Sequence, residues 1–418
     1  MRIRALDVWW DGRRAGQLTQ NEHGELGFTY APEWLEDDAA PALSASLPKH
    51  PEPFNRRACR PFFGGLLPEE SQRDAAAQAL GVSRGNDFAL LDRLGGDVAG
   101  ALQMLPPGEA PGAPDPDRQP NPLDEEGLIR VLDALPLRPL LAGEAGLRLS
   151  LAGAQSKVPV VLVNAAIALP APGQPTTHIL KPPIARFAAT TENEAFVMRL
   201  AAAIGLDVAS VEPRLARDRP FLLVQRYDRM RDDDGRVRRI HQEDFCQALG
   251  VPPELKYASE GGPTLRDCFA LVRSQSIRPA VDVMKLLDAA IFNVVVGNAD
   301  AHGKNFSLLY GLEGPRLAPL YDLLATVAYP ELSAKFAMRI GRRATLETLD
   351  AKSWTVFAAD AGVGSPMIRR RVVELCEKVR SMAHDIAGEL MASGLDQAAL
   401  SRFADMVVDR AERCALKV

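Results

Sequence analysis

Residues 106–122, PPGEAPGAPDPDRQPNP, constrain the fold more than any other stretch of the chain. Proline lacks the backbone N–H that helices and sheet ladders use, and its ring clashes with a preceding helical turn, so the segment reads as a surface linker. It bounds two folded parts, residues 1–105 and 123–418. With 418 residues, 47% of them hydrophobic, the chain has material for a large core and two or three domains. Charged residues make up 25%, an ordinary globular proportion that argues against wholesale disorder.

Residues 1–105 read as a β-rich subdomain with one or two helices. MRIRALDVWW alternates as a strand does and turns at Asp11-Gly12, NEHGELGFTY suggests a hairpin, and EESQRDAAAQALG suggests a helix stopped by Gly81. In residues 123–228 short strands dominate (VPVVLVN, THILKPP, FLLVQRYD). One helix interrupts them, with Phe196, Val197, Leu200, Ala201 and Ile204 on one face and Gly205 at its end. Residues 229–418 read as mostly helical, closing on the amphipathic LDQAALSRFADMVVDRAERCALKV. The expected class is α+β: a bilobed layout, strand-rich lobe before helical lobe, preceded by a small β-rich subdomain.

The net charge of -5 argues against a protein that coats nucleic acid by bulk electrostatics. The start lacks the apolar core of a signal peptide, and the most apolar run, Val158 to Leu169, is broken by Pro159 and Asn164, so no membrane span is expected. The five cysteines are scattered, which fits reduced thiols and a cytoplasmic location, and neither they nor the six dispersed histidines have metal-site spacing.

One polar stretch stands between two apolar ones: FNVVVGNADAHGKNFSLLY, residues 292–310. Asp300 and Asn305 lie five positions apart on the loop between a helix-like and a strand-like run. That is the spacing of kinase catalytic loops, where the Asp accepts the substrate hydroxyl and the Asn binds magnesium. A turn at Gly311 to Pro315 then leads through a second strand to Asp322, a second hard-cation ligand. Asp and Asn also stabilise ordinary tight loops, so the spacing alone is a weak signal. The parts upstream strengthen it. SLAGAQSK, residues 150–157, puts Gly153 between two alanines, where backbone N–H groups can approach phosphate oxygens, though it is no Walker loop. Lys181 closes a strand before Pro182. Glu192 or Glu194 supplies a carboxylate for it; Thr191 with Glu194 also forms a capping box, the favoured reading for Glu194. The backbone of Gln225 to Tyr227 is placed to read an adenine between the lobes.

Together, FFGGLLPEE, LGGDVAGALQMLP, SLAGAQSK, HILKPP, TENEAF, QRYDR, HQEDFCQALG, GNADAHGKNFSLL and YDLLAT resemble the HipA-like serine/threonine kinases, toxins of type II toxin–antitoxin modules. The resemblance spans nearly the whole chain and implies that the bilobed α+β layout is a protein-kinase-like bilobed fold. It implies Asp300 as proton acceptor and magnesium on Asn305 and Asp322. It implies ATP contacts from Ala152, Gly153, Ala154, Gln155, Ser156, Lys157, Lys181, Gln225, Arg226, Tyr227, His302, Gly303, Lys304, Asn305, Tyr321 and Asp322. Self-inactivation by phosphorylation of Ser150 is implied as well, with Ser156, where the family more often has an acidic residue, as a rival site. Gln225 stands where a hinge glutamate is common. The implied partners are a HipB-like DNA-binding antitoxin, through which DNA is mainly engaged, and a protein substrate such as an aminoacyl-tRNA synthetase. Two alternatives remain at this level: a small-molecule or lipid kinase of the same fold, and a catalytically inactive scaffold for partner and DNA.

Overall fold

The computed structural model describes residues 4–112, 119–144 and 146–418. The middle of the proline-rich stretch, 113–118, lies outside the described residues. On both sides of it residues 106–112 and 119–122 form neither helix nor strand ladder beyond a single bridge of Pro122 to Ala168.

The amino-terminal part is built on one antiparallel sheet. Strand β1 (Arg4–Trp10) turns at Asp11-Gly12 into β2 (Arg13–Gln20), which pairs with β3 (Leu26–Tyr30). Four short helices follow: α1 (Pro32–Glu36), α2 (Arg56–Gly65), α3 (Glu70–Leu80) and α4 (Asp87–Leu94). Strand β4 (Leu102–Leu105) returns beside β1, giving the order β3-β2-β1-β4. One or two helices were expected here. The others are too short to show a helical period, and local caps help define them: Asn55 and Asn86 accept the N–H groups of Ala58 and Ala89. Phe28, Phe62, Phe63 and Phe88 fill the core beneath the sheet.

After α5 (Glu125–Ala134) comes a second sheet, of β5 (Val158–Val163), β6 (Ala166–Ala168), β7 (His178–Lys181), β8 (Val211–Ala216) and β9 (Arg219–Gln225). Its order is β6-β5-β7-β9-β8, with α6 (Thr190–Ala203) crossing between β7 and β8. Short strands continue past Asp228 before and among the helices that dominate the rest of the chain. Strands β10 (Arg229–Arg231) and β11 (Val237–Arg239) form a ribbon, and β12 (His241–Asp244) leads into the one-turn helix α7 (Phe245–Ala248). Helices α8 (Leu265–Gln275) and α9 (Pro279–Val296) precede β13 (Ser307–Gly311) and β14 (Gly314–Leu317). Strand β12 pairs with β13, His241 opposite Tyr310, a partner that no local pattern announces. Helices α10 (Ala351–Ala361), α11 (Ser365–Ala392) and α12 (Gln397–Ala415) complete a helical lobe around Trp354, Phe357, Val379 and Phe403. Among the described residues no helix is long and apolar enough to cross a membrane.

The amino-terminal part is locked onto the rest by buried polar groups. Asp97 accepts from Arg229 (2.9 Å), Arg239 (2.9 Å), Arg226 (3.2 Å) and the Thr176 hydroxyl (2.6 Å). Burial alone would raise its carboxyl, but the three guanidiniums bring it down to about 2. Asp228 pairs with Arg226 and takes the Gly100 N–H at 2.7 Å. Further along the seam, the rings of Trp10 and His241 lie 4.0 Å apart, and Ser44 donates to Glu243.

Candidate active site

Helix α9 is apolar along most of its length and stops where the polar loop begins. Gly297, at φ 80, caps it, and a Cβ there would stand 2.3 Å from Val327 and 2.7 Å from Arg410, so both conformation and space demand glycine. Arg410 of α12 donates to the carbonyls of Val294 (2.8 Å) and Val295 (3.2 Å), satisfying the end of α9. The loop is then held by its own side chains. Asn298 accepts the Asp300 N–H at 3.2 Å, and His302 Nδ1 accepts the Lys304 N–H at 3.3 Å. Burial, helped by Lys256, pushes His302 down to about 3, which keeps the imidazole neutral and able to accept. Gly303 passes so close to Pro263 and Cys246 that a Cβ would lie within 3 Å of either.

The hairpin β13–β14 carries the chain back so that Asp322 faces Asn305, whose Nδ2 is 3.3 Å from Asp322 Oδ2. Asp322 sits at φ 58, a conformation uncommon outside glycine that aspartate and asparagine adopt more readily than most side chains. Lys181, at the end of β7, donates to Glu194 Oε1 (2.7 Å) and Asp322 Oδ1 (2.8 Å). Burial opposes the charge on Asp322, but Lys181 and Lys157 outweigh it and hold the carboxyl below the usual range. Asp300, by contrast, is open to the cleft at its floor, yet the protein packed around it pushes its carboxyl up, the Tyr257 hydrogen bond opposing this.

Glu194 is therefore the partner of Lys181, and the capping-box reading of Thr191 with Glu194 is corrected. Helix α6 begins at Thr190 after Ala189 in a left-handed conformation, and no side chain caps it. Thr191 is thus already inside the first turn, and Thr190 Oγ1 instead accepts the Ile184 N–H. Glu192 is buried, and its Oε2 has no hydrogen-bond partner among the described residues.

The 150–157 loop is held from the amino-terminal part. Gly153, at φ 111, bridges to Pro68, and its carbonyl accepts the Glu69 N–H at 3.2 Å. Ser156 donates to Gln72 (3.2 Å), and Ser150, fully buried, donates to the Leu66 carbonyl (2.7 Å). Lys157 donates to the Ala152 carbonyl at 2.7 Å, and burial with the nearby Lys181 lowers its ammonium to about 8. In the strip between the lobes, the N–H groups of Gln225 and Arg226 already bond the carbonyls of Ser210 and Thr177. The Arg226 side chain turns into the Asp97 cluster, away from the cleft. Lys304 Nζ likewise points to Asp244 (2.6 Å) and the Gly65 carbonyl (3.3 Å). Tyr321 donates to the Lys304 carbonyl at 2.7 Å.

All these segments enclose one cleft of about 600 Å³, the size of a nucleotide or drug site. Ala152 to Lys157, Lys181, Gln225 to Tyr227, Asp300, His302, Lys304, Asn305, Tyr321 and Asp322 line it. Gly303 lies in the adjoining turn, packed on Pro263. Residues that sequence reasoning passed over also line it: Glu69, Glu70 and Gln72 from the amino-terminal part, with Lys256 and Asn298. Glu69 and Glu70 end the stretch FFGGLLPEE, but nothing local says that they reach a cleft formed by residues far along the chain.

Two family models match the chain: the HipA N-terminal domain over residues 6–105 and the HipA-like C-terminal domain over residues 149–385. "Putative kinase Y4mE" of Sinorhizobium fredii is 66% identical over the full length of both chains. "Serine/threonine-protein kinase toxin HipA" of Shewanella oneidensis is 29% identical, over 84% of this chain and 82% of the relative. A solved structure of the Shewanella oneidensis HipA, HipB and operator DNA complex superposes with a TM-score of 0.85 at 27% identity, covering 98% of this chain and 97% of that one. The α+β bilobed fold and the relatives, named as kinases, define a kinase. The chain belongs to the HipA family.

Proposed function

We propose that the protein is an ATP- and Mg²⁺-dependent kinase of protein serine or threonine, acting as the toxin of a toxin–antitoxin pair. The observation that carries this reading is the convergence of Asp300, Asn305, Asp322 and the Lys181–Glu194 pair in one cleft beneath the 150–157 loop. Asn305 here turns its amide nitrogen to the Asp322 carboxylate and its oxygen to the His302 N–H (3.4 Å); with the amide oxygen turned to the cleft, Asn305 and Asp322 would hold magnesium, which when bound neutralises charge on the phosphates. Lys181 and the N–H groups of the glycine-containing loop supply positive potential to the same end. Adenine recognition falls to the backbone of the strip between the lobes, where the Tyr227 N–H makes no backbone hydrogen bond among the described residues.

In the reaction the acceptor oxygen bonds to the γ-phosphorus as the bond to the β–γ bridging oxygen breaks. The acceptor proton passes to Asp300 and ADP leaves. The upward push on the Asp300 carboxyl favours its taking that proton.

The toxin role and the partner come from likeness: the Shewanella oneidensis relative is named a toxin and is solved with HipB and operator DNA. We extend a HipB-like antitoxin to this chain, with DNA engaged mainly through it, given the net charge of -5. The protein substrate fits a translation component such as an aminoacyl-tRNA synthetase. Self-inactivation at Ser150 fits its position: its hydroxyl is sealed against Leu66, so a phosphate of about -1.5 to -2 charge cannot be housed without displacing the loop. The test is incubation with γ-labelled MgATP and cell extract. A labelled protein band, absent with Asp300→Asn, is expected, as is growth arrest on expression without an antitoxin. Label in small molecules alone, or an Asp300→Asn enzyme as active as wild type, overturns the reading.

A further inference from the structure

The Tyr257 hydroxyl donates a 2.7 Å hydrogen bond to Asp300 Oδ1, although no step above uses it. We propose that Tyr257 is a positioning residue: it fixes the catalytic carboxylate by one oxygen so that the other meets the acceptor hydroxyl. This rests on the reading of Asp300 as the base.

The Tyr257 backbone and ring are held by groups other than Asp300. The Tyr257 carbonyl accepts the N–H groups of Glu260 (3.0 Å) and Gly262 (2.9 Å), closing a turn around it. That turn has no room for a side chain at Gly262, where a Cβ would stand 2.2 Å from the Leu255 carbonyl oxygen. The ring meets the His302 ring edge-on, with centroids 5.2 Å apart at 87°.

The preceding residue ties the turn to the amino-terminal part. Lys256 Nζ bonds Glu69 Oε2 at 2.9 Å and Glu70 Oε1 at 3.0 Å, and lies 5.6 Å from the Tyr257 ring centre. Glu70 holds its place at φ 48, a left-handed conformation that costs a non-glycine residue about 1 kcal/mol or more. Such strain persists where surrounding contacts require it. The chain of contact runs from Glu69 and Glu70 through Lys256 and Tyr257 to Asp300.

Asp300 needs such a holder. Its backbone is fixed by Asn298 and His302, but among the described residues Tyr257 is the hydrogen-bond partner of its side chain. An ionised carboxylate has two oxygens and can serve both the phenol and an acceptor. A base left free to rotate at the floor of an open cleft loses the orientation on which positioned transfer depends.

The experiment measures transfer from γ-labelled MgATP to a fixed amount of cell-extract protein, for wild type, Tyr257→Phe, Asp300→Asn and the double variant. Phenylalanine keeps the ring against His302, and thermal midpoints report folding. The rate of Tyr257→Phe at saturating ATP is expected to fall roughly ten- to a hundred-fold, with its KM for ATP within about two-fold of wild type. In the Asp300→Asn background the same change should do almost nothing, because its effect passes through Asp300. Four results overturn the proposal: an unchanged rate in Tyr257→Phe, a loss confined to the KM for ATP, an equal further loss in the Asp300→Asn background, or phosphate on Tyr257 by peptide mass spectrometry. Full activity of Asp300→Asn would instead remove the reading beneath it.

Discussion

Lys181 Nζ stands 2.7 Å from Glu194 Oε1, a buried ion pair that joins the end of strand β7 to helix α6. Asp322, 2.8 Å from the same ammonium, adds the segment after the β13–β14 hairpin to the cluster. Two consecutive elements and a segment 141 residues further on thus share one cation. Breaking a buried pair leaves an uncompensated charge, which is why such clusters hold their geometry.

Glu194 and Glu192 should respond differently to the same substitution. Glu194→Gln leaves Lys181 with Asp322 alone and is expected to cost roughly 3 kcal/mol with a marked loss of transfer. Glu192→Gln, whose Oε2 has no partner to lose, should change stability by less than about 1 kcal/mol. Urea unfolding of both variants beside wild type measures the contrast.

The two aspartates of the cleft should separate binding from transfer. Asp300→Asn should lower transfer by about two or more orders of magnitude while ATP affinity stays nearly intact, because the group acts mainly in the transition state. Asp322→Ala should also weaken magnesium-dependent nucleotide binding, and it removes one partner of Lys181. Calorimetric titration with MgATP, paired with transfer rates, distinguishes the two patterns.

Ser150 should carry phosphate after incubation with MgATP, and the Asp300→Asn protein should carry none. The phosphoform should bind ATP weakly, since the bond to Leu66 is lost and the loop leaves its seat against Pro68 and Glu69. Intact-mass and peptide mass spectrometry locate the phosphate. Finding it on Ser156 alone, or a Ser150 phosphoform with normal ATP affinity, would refute the switch.

His241 should make the seam between the amino-terminal part and the helical lobe sensitive to acid. Burial lowers its imidazole to about 4, from an ordinary 6.5, while Nε2 engages the Leu43 carbonyl and the ring packs against Trp10 at a tilt of 40°. The folded state therefore binds the proton more weakly than the unfolded state. Its stabilising contribution is fully present above about pH 6.5 and is lost as pH falls toward 4, by up to roughly 3 kcal/mol. Thermal midpoints between pH 4.5 and 7.5 should fall less steeply for His241→Gln than for wild type.

Much of this was legible in the sequence. The period of Phe196, Val197, Leu200 and Ala201 marks helix α6, Gly81 and Gly205 mark helix ends, and the Asp300–Asn305 spacing singles out the loop after α9. These signals are local, set by backbone conformation and by the faces of a helix or strand. The partner of Lys181 was not local. Thr191 with Glu194 satisfies a capping pattern on paper, but Ala189 in a left-handed conformation is the N-cap, so the helix starts two residues earlier and Glu194 is free for the lysine. The same holds for β12 against β13, for Glu69 beside Lys304 and for Tyr257 on Asp300, each joining segments separated by many residues. Local preference determined which elements form and roughly where they end. Only the tertiary structure decided which charges meet, because burying them is tolerable only in pairs, and the pairs are made by packing.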